Sequence, residues 1–263
     1  MYFCLETLGS QEPPYDKDLF SKQSKEYASS RPTYPGELFE FIIGLVDEKN
    51  LAWDCATGNG QAAIGLSKYF NKVIASDASK NQVQYAFQRE NIEYKVFQAE
   101  NAELENDSVD IITVAQALHW FDLDKFYSNV MRVGKKDGII AVWSYDMHKI
   151  NPQLDKITER LDVDGEILGS YWDKEAKYVK EKYKTIAFPF EEISVPVFKT
   201  TLHWNLLQLW DYMKTWSSVK KYYSENKLDP LDLVKPEIES LWGNELDKKK
   251  VTWNINIRLG IMK

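Results

Sequence analysis

The sequence predicts an α/β fold built on a mostly parallel sheet with helices on both faces. Three observations carry that expectation. Five short apolar or β-branched runs, Leu51 to Cys55, Val73 to Asp77, Tyr94 to Gln98, Val109 to Ala115 and Ile139 to Trp143, are separated by helix-length segments, the rhythm of βαβ units. A glycine-bearing loop, Asp54-Cys55-Ala56-Thr57-Gly58-Asn59-Gly60, follows the first run directly. The last stretch alternates strictly: Val251, Trp253, Ile255, Ile257 and Leu259 are spaced by polar residues, as in a half-buried antiparallel strand.

Residues 1–35 read as a polar arm within a single domain. Pro35 then precedes Leu38, Phe41, Ile42, Leu45 and Val46, the spacing of an amphipathic helix. Residues 36–145 make the core. Within it a helix starts near Gln61, Ser79 and Gln82 form a capping-box signature ahead of Val83 and Phe87, and Asp122 is a good N-cap before Leu123, Phe126, Val130 and Val133. Beyond Asp146 the strand–helix rhythm stops. Leu154, Ile157 and Leu161 mark a polar helical stretch, and a loop-rich region containing Pro189 and Pro196 follows. Val195 to Trp204 reads as one long edge strand, because Pro196 cannot donate a ladder hydrogen bond. Leu206, Leu209, Met213 and Trp216 give a further helical stripe. Residues 146–250 are expected to cap the site, and residues 251–263 to hold the final strand.

The chain has 263 residues, with 33 Lys and Arg against 40 Asp and Glu and a net charge of −7. That balance argues against binding a phosphate backbone, so nucleic acid is not the expected partner. With 44% apolar and 28% charged residues, disordered, collagen-like and coiled-coil classes are excluded. No apolar run approaches the roughly 20 residues of a membrane helix. The first residues carry no basic leader before an apolar core, so a cytoplasmic location is the expectation. Cys4 and Cys55 are the only cysteines and neither lies near a histidine in ligand spacing, so no disulfide framework and no metal are expected.

The chemistry begins at the glycine loop. Small residues there let the backbone approach a ligand, and the following helix offers free N–H groups. The second strand ends in Asp77, 19 positions after Gly58, close to the spacing of an acid that accepts hydrogen bonds from ribose hydroxyls. Loop and acid together indicate an adenosine-type ligand. Two cofactor classes fit, because Gly58-Asn59-Gly60-Gln61-Ala62-Ala63 also satisfies a dinucleotide fingerprint and so admits an NAD-dependent oxidoreductase. Asp54 separates them: at the ligand's end it would attract an ammonium group and repel a pyrophosphate, unless it only caps the loop. His119, unlike His148 and His203, falls at the carboxyl end of a core strand, where open α/β sheets bind ligands.

With these pieces the chain resembles a class I S-adenosylmethionine-dependent methyltransferase. The matching motifs are Asp54-x-Ala56-x-Gly58-x-Gly60, Asp77, the pair Ala99-Glu100, Asp107-Ser108-Val109-Asp110, and Ala115-Gln116-Ala117-Leu118-His119-Trp120-Phe121-Asp122. More narrowly, Tyr27 to Pro35, the His119 to Asp122 run, Thr215-Trp216-Ser217 and the final strand are similar to the trans-aconitate 3-methyltransferase-like group. The resemblance implies a Rossmann-like, seven-stranded, mostly parallel sheet whose last strand is antiparallel, under a helical and loop cap. It implies S-adenosylmethionine as cofactor, S-adenosylhomocysteine as product, and a carboxylate oxygen as acceptor. A cofactor-binding protein of the same fold without turnover is the alternative. Carried over by position, Gly58, Gly60 and Gln61 would line the methionine part, Asp54 its ammonium and Asp77 the ribose. Ala78, Ala99 and Glu100 would surround the adenine, and Gln116 would sit near the methionine end. Tyr27 and Arg31 would close over the cofactor, with Arg31 on its carboxylate. His119 is the candidate catalytic residue, as a base for a phenol or alcohol or a positioner for a carboxylate, and Trp120, Trp143 and Trp216 are candidate pocket walls. One position departs from the family: Ala56 stands where glycine is usual, which a negative φ would accommodate.

Overall fold

The structure, a computed structural model, describes residues 31–263. Helix α1 (Gly36–Ile43) opens it and buries Leu38, Phe39, Ile42 and Ile43. The core then alternates: β1 (Leu51–Cys55), α2 (Gln61–Leu66), β2 (Lys72–Asp77), α3 (Lys80–Gln84), β3 (Ile92–Val96), β4 (Val109–Ala115), α4 (Leu123–Val133) and β5 (Gly134–Tyr145). The third strand begins two residues earlier than expected. Asp122 caps α4 as its position suggests, its carboxylate accepting the Lys125 N–H at 3.3 Å.

The sheet order is β3-β2-β1-β4-β5, all parallel, so the order reverses between β1 and β4. A crevice opens at the carboxyl ends of strands at such a reversal, and that is where the ligand site of an open α/β sheet belongs. At the opposite, amino end, the buried Asp110 carboxylate accepts the Asn50 and Leu51 N–H groups at 2.8 and 2.7 Å and pairs with Lys135 at 2.6 Å. One acid thereby ties β1, β4 and β5 together.

The late elements are α5 (Pro152–Thr158), α6 (Ala176–Lys180), β6 (Glu191–Ile193), β7 (Phe198–Trp204), α7 (Leu206–Lys214), α8 (Ser217–Asn226), α9 (Lys235–Trp242) and β8 (Lys249–Ile261). β8 runs antiparallel to β5, as its alternation indicates. The expected seven strands become eight. β6 and β7 lie end to end on the same edge of β8, pairing with its residues 259–261 and 249–255. Between them Ser194 to Val197 oppose only Asn256 to Arg258, a bulge around a residue that cannot donate to the ladder. The edge strand expected over Val195 to Trp204 is thus shortened to Phe198–Trp204, and β6, which ends before Val195, is an additional strand that the sequence did not mark.

Apolar clusters cover both faces. One face packs α1, α2 and the late helices, with Trp143, Trp253, Tyr212 and Trp216 in its centre; the other packs α4 and residues 183–190 over Trp53, Ile112 and Phe126. Among the described residues, no helix is long and apolar enough to cross a membrane.

Candidate functional site

A cavity of about 570 Å³ occupies the crevice at the carboxyl ends of β1, β2 and β4. Its floor is the glycine loop, whose backbone turns through left-handed values at Ala56 (φ 53°), Gly58 (φ 56°) and Gly60 (φ 88°). Thr57 N donates to Ser76 O at 2.8 Å and Gly60 N to Thr57 O at 3.0 Å, which holds the turn closed. Gly58 faces open space, so the backbone there is accessible to a ligand. Gly60 is behind the wall, and a Cβ on it would fall 2.2 Å from the Tyr94 hydroxyl. Ala56 lines the cavity with the positive φ that its side chain disfavours, so the condition for a strain-free replacement of glycine is not met.

Asp54 lies beneath this loop. It is 1% exposed, and its two oxygens accept the Thr57 hydroxyl at 2.5 Å and the Thr113 hydroxyl at 2.8 Å. Burial raises its pKa to about 6. The loop-capping alternative therefore describes its contacts, and it is not on the cavity wall. Asp77 is on the wall, with one oxygen accepting Gly58 N at 2.9 Å and the other Ser79 N at 2.8 Å. Each oxygen keeps acceptor capacity, so the carboxylate can take hydroxyl donors while remaining fixed in direction. Burial raises its pKa, and the two backbone donors counter that shift.

Next to Asp77 the wall continues through Ala78, Phe97, Ala99 and Glu100, an apolar slot with an acid at its rim. Glu100 is engaged: its carboxylate accepts Asp122 N at 3.0 Å, joining this turn to the start of α4. Gln61, the first residue of α2, and Gln116, in the loop after β4, also line the crevice. Gln116 also carries a positive φ of 59°, held by its N–H to Trp143 O at 2.8 Å. Arg31 reaches the far end of the cavity, donating to the Tyr145 hydroxyl at 2.9 Å and to Thr215 O at 3.4 Å, with its guanidinium 5.5 Å from the Tyr212 ring centre. Tyr27 lies outside the described residues.

The aromatic candidates divide. Trp120 lines the cavity; Trp143, fully buried, stands behind it with its ring 5.3 Å from that of Tyr34. Trp216 packs among Tyr212, Trp172 and His148 in the core. His119 is also off the described wall. Its Nδ1 is 2.9 Å from the Tyr183 hydroxyl, and burial lowers its pKa to about 3. The far end of the cavity is instead completed by Tyr34, Tyr145, Asp173 and Lys221. Sequence reading missed these four. Tyr145 stands two residues past the expected end of its strand, whereas Asp173 and Lys221 arrive from the cap with no local motif to mark them.

The residues present suit S-adenosylmethionine: an open backbone cradle at Gly58, a fixed acid for ribose, an apolar slot for a base, and a cation at the far end. Comparisons with known proteins agree. Residues 53–142 match the methyltransferase domain family model. A protein of Dictyostelium discoideum named as a methyltransferase is 36% identical over 220 residues, covering 83% of this chain and 84% of its own. A relative in Saccharomyces cerevisiae, named for S-adenosylmethionine-dependent methyl transfer, is 25% identical over 91% of this chain and 92% of its own. Among solved structures, one described as a type II methyltransferase from Anaeromyxobacter dehalogenans superposes with a TM-score of 0.82 at 33% identity, covering 88% of this chain and 98% of that one. These relatives decide between the two cofactor classes that the glycine loop left open. The chain belongs to the class I S-adenosylmethionine-dependent methyltransferase family, and S-adenosylmethionine is its cofactor.

Proposed function

We propose that this methyltransferase acts in the cytoplasm on a small-molecule acceptor and transfers the methyl group to a carboxylate oxygen, giving a methyl ester. The observation that carries this reading is the makeup of the far end of the cavity. Two cations, Arg31 and Lys221, line it beside a single acid, Asp173, and no histidine or cysteine does so among the described residues. When bound, S-adenosylmethionine supplies an electrophilic methyl group on a sulfonium. A carboxylic acid with an ordinary pKa of about 4 is already ionised at neutral pH, so the site need not remove a proton. Its task is alignment in a space screened from water. Trp120, Phe121 and Tyr34 provide apolar walls, and Lys221, which has no ion pair among the described residues, can draw in an anion. A phenol or alcohol would need a base, and the half-buried, weakly basic His119, which does not line the cavity, is poorly placed for that role. The similarity of the His119 to Asp122 run to the trans-aconitate 3-methyltransferase-like group supports the same class of acceptor.

The test is incubation with methyl-labelled S-adenosylmethionine and a panel of small carboxylic acids, trans-aconitate first, beside phenols and alcohols. Label released as methanol by mild alkali identifies an ester and supports the reading. Alkali-stable label on a phenol or alcohol alone would overturn it.

A further inference from the structure

His119, off the cavity wall, is bonded to Tyr183 from the segment that follows α6. Tyr183 follows α6, in the cap, and is 1% exposed. To deliver its ring inward the chain adopts two consecutive left-handed residues, Lys182 (φ 60°) and Tyr183 (φ 57°), neither of them glycine. Such a conformation persists only where the surroundings enforce it. They do so here through Arg258 of β8, whose Nη1 donates to Tyr183 O at 2.8 Å and Ile186 O at 2.7 Å. Its guanidinium lies 4.6 Å from the Phe188 ring centre and pairs with Glu192. Held this way, the Tyr183 hydroxyl reaches His119 Nδ1 at 2.9 Å. His119 sits in the single helical turn Leu118–Trp120, between Gln116 and Phe121, and this turn carries the Trp120 and Phe121 walls of the cavity.

We propose that Tyr183 and His119 form a latch between the cap and the loop after β4, and that His119 is a positioning residue which sets the Trp120–Phe121 wall against the acceptor. The bond is one-sided. It uses Nδ1, an atom that an asparagine amide can replace, whereas a base acting through Nε2 has no such substitute. The kinetic arm rests on the carboxylate reading above; a second arm does not.

In the kinetic arm, His119→Leu and Tyr183→Phe are each expected to raise the acceptor KM about tenfold, the loss of one partly buried hydrogen bond. The double variant should be no worse than either single one, and His119→Asn should stay within about threefold of the wild type. Affinity for S-adenosylhomocysteine, measured by calorimetry, should change less than about twofold in all of them, which also reports that each variant is folded. In the second arm, amide hydrogen exchange is followed in residues 117–121 and 181–186 without any acceptor. Tyr183→Phe should deprotect 117–121 and His119→Leu should deprotect 181–186, while His119→Asn leaves both protected. Loss of turnover in His119→Asn with normal behaviour of Tyr183→Phe would overturn the latch and make His119 a base. Unchanged protection of both segments in Tyr183→Phe and His119→Leu would overturn it even if no carboxylic acid proves to be an acceptor.

Discussion

Asp77 and Ala56 show how a single side chain can serve or burden the same loop. Asp77 fixes Gly58 N and Ser79 N while facing the cavity, so one carboxylate both shapes the cradle and keeps acceptor capacity toward the cavity. Asp77→Ala is expected to weaken S-adenosylhomocysteine binding by about ten- to a hundredfold, the range for hydrogen bonds to a charged group. Calorimetry that found unchanged affinity would refute its assignment. Ala56 is the opposite case, because its methyl group occupies a left-handed turn with φ of 53°. The strain relieved by glycine, about 1–2 kcal/mol, exceeds the added chain entropy of about 0.5–1 kcal/mol. Ala56→Gly should therefore raise the thermal midpoint by about 2 °C; a fall would mean the turn is not strained. At the other end, Lys221→Ala should raise the KM for an anionic acceptor about tenfold, with recovery in Lys221→Arg but not in Lys221→Gln. Equal activity of all three would exclude Lys221 from acceptor recognition. The sequence shows Asp77 by its spacing from Gly58. It does not show that Asp54 turns beneath the loop, because that direction depends on Thr113 across a strand pair 59 residues away.

At the scale of elements, local signals proved readable where one residue type has one physical use. Asp122 caps α4, and the alternation from Val251 to Leu259 marks β8. The break between β6 and β7 was only half readable. Pro196 announced an edge, yet the bulge and the extra strand depend on pairing with β8. This edge carries familiar protection against sheet-to-sheet association: a proline, a bulge and the outward Lys199. The double replacement Pro196→Val with Lys199→Val should leave the thermal midpoint within about 2 °C of the wild type but produce concentration-dependent association in light scattering. A monodisperse variant would show that the edge needs no such guard.

Over the whole molecule, acid sensitivity follows from buried histidines. His148 is fully buried among Tyr212, Trp216 and Trp253, with neither ring nitrogen bonded among the described residues. Burial lowers its pKa to about 3, as it does for His119. A histidine whose folded pKa lies below its unfolded value near 6.5 binds its proton more readily in the unfolded chain. Stability is therefore complete above about pH 6.5 and declines as pH falls toward 3. Asp54, raised to about 6, and Asp77, also raised by burial, work in the opposite sense, whereas the ion-paired Glu48, Glu93, Asp122, Glu159, Asp164 and Glu192, whose pKa values are lowered, add to the decline. Thermal melts between pH 7 and 4 should show this decline, and His148→Phe should flatten it by about one proton's worth of slope. An unchanged slope would place the acid sensitivity elsewhere. None of this was visible in sequence, where His148 had no distinguishing neighbours; its cage is assembled from α7, the start of α8 and β8.

The two cap residues at the cavity's far end come from different excursions of the chain. Asp173 belongs to the segment that leaves the sheet after β5 and returns at β6, and Lys221 to the segment between β7 and β8. Both excursions begin and end at the β8 side of the sheet, away from the β1–β4 reversal that carries the glycine loop and Asp77. If the proposed acceptor role of Lys221 holds, the molecule is modular: redrawing either excursion by mutation, insertion or grafting should change which compound is recognised and leave S-adenosylhomocysteine affinity, read by calorimetry, within about twofold of the wild type.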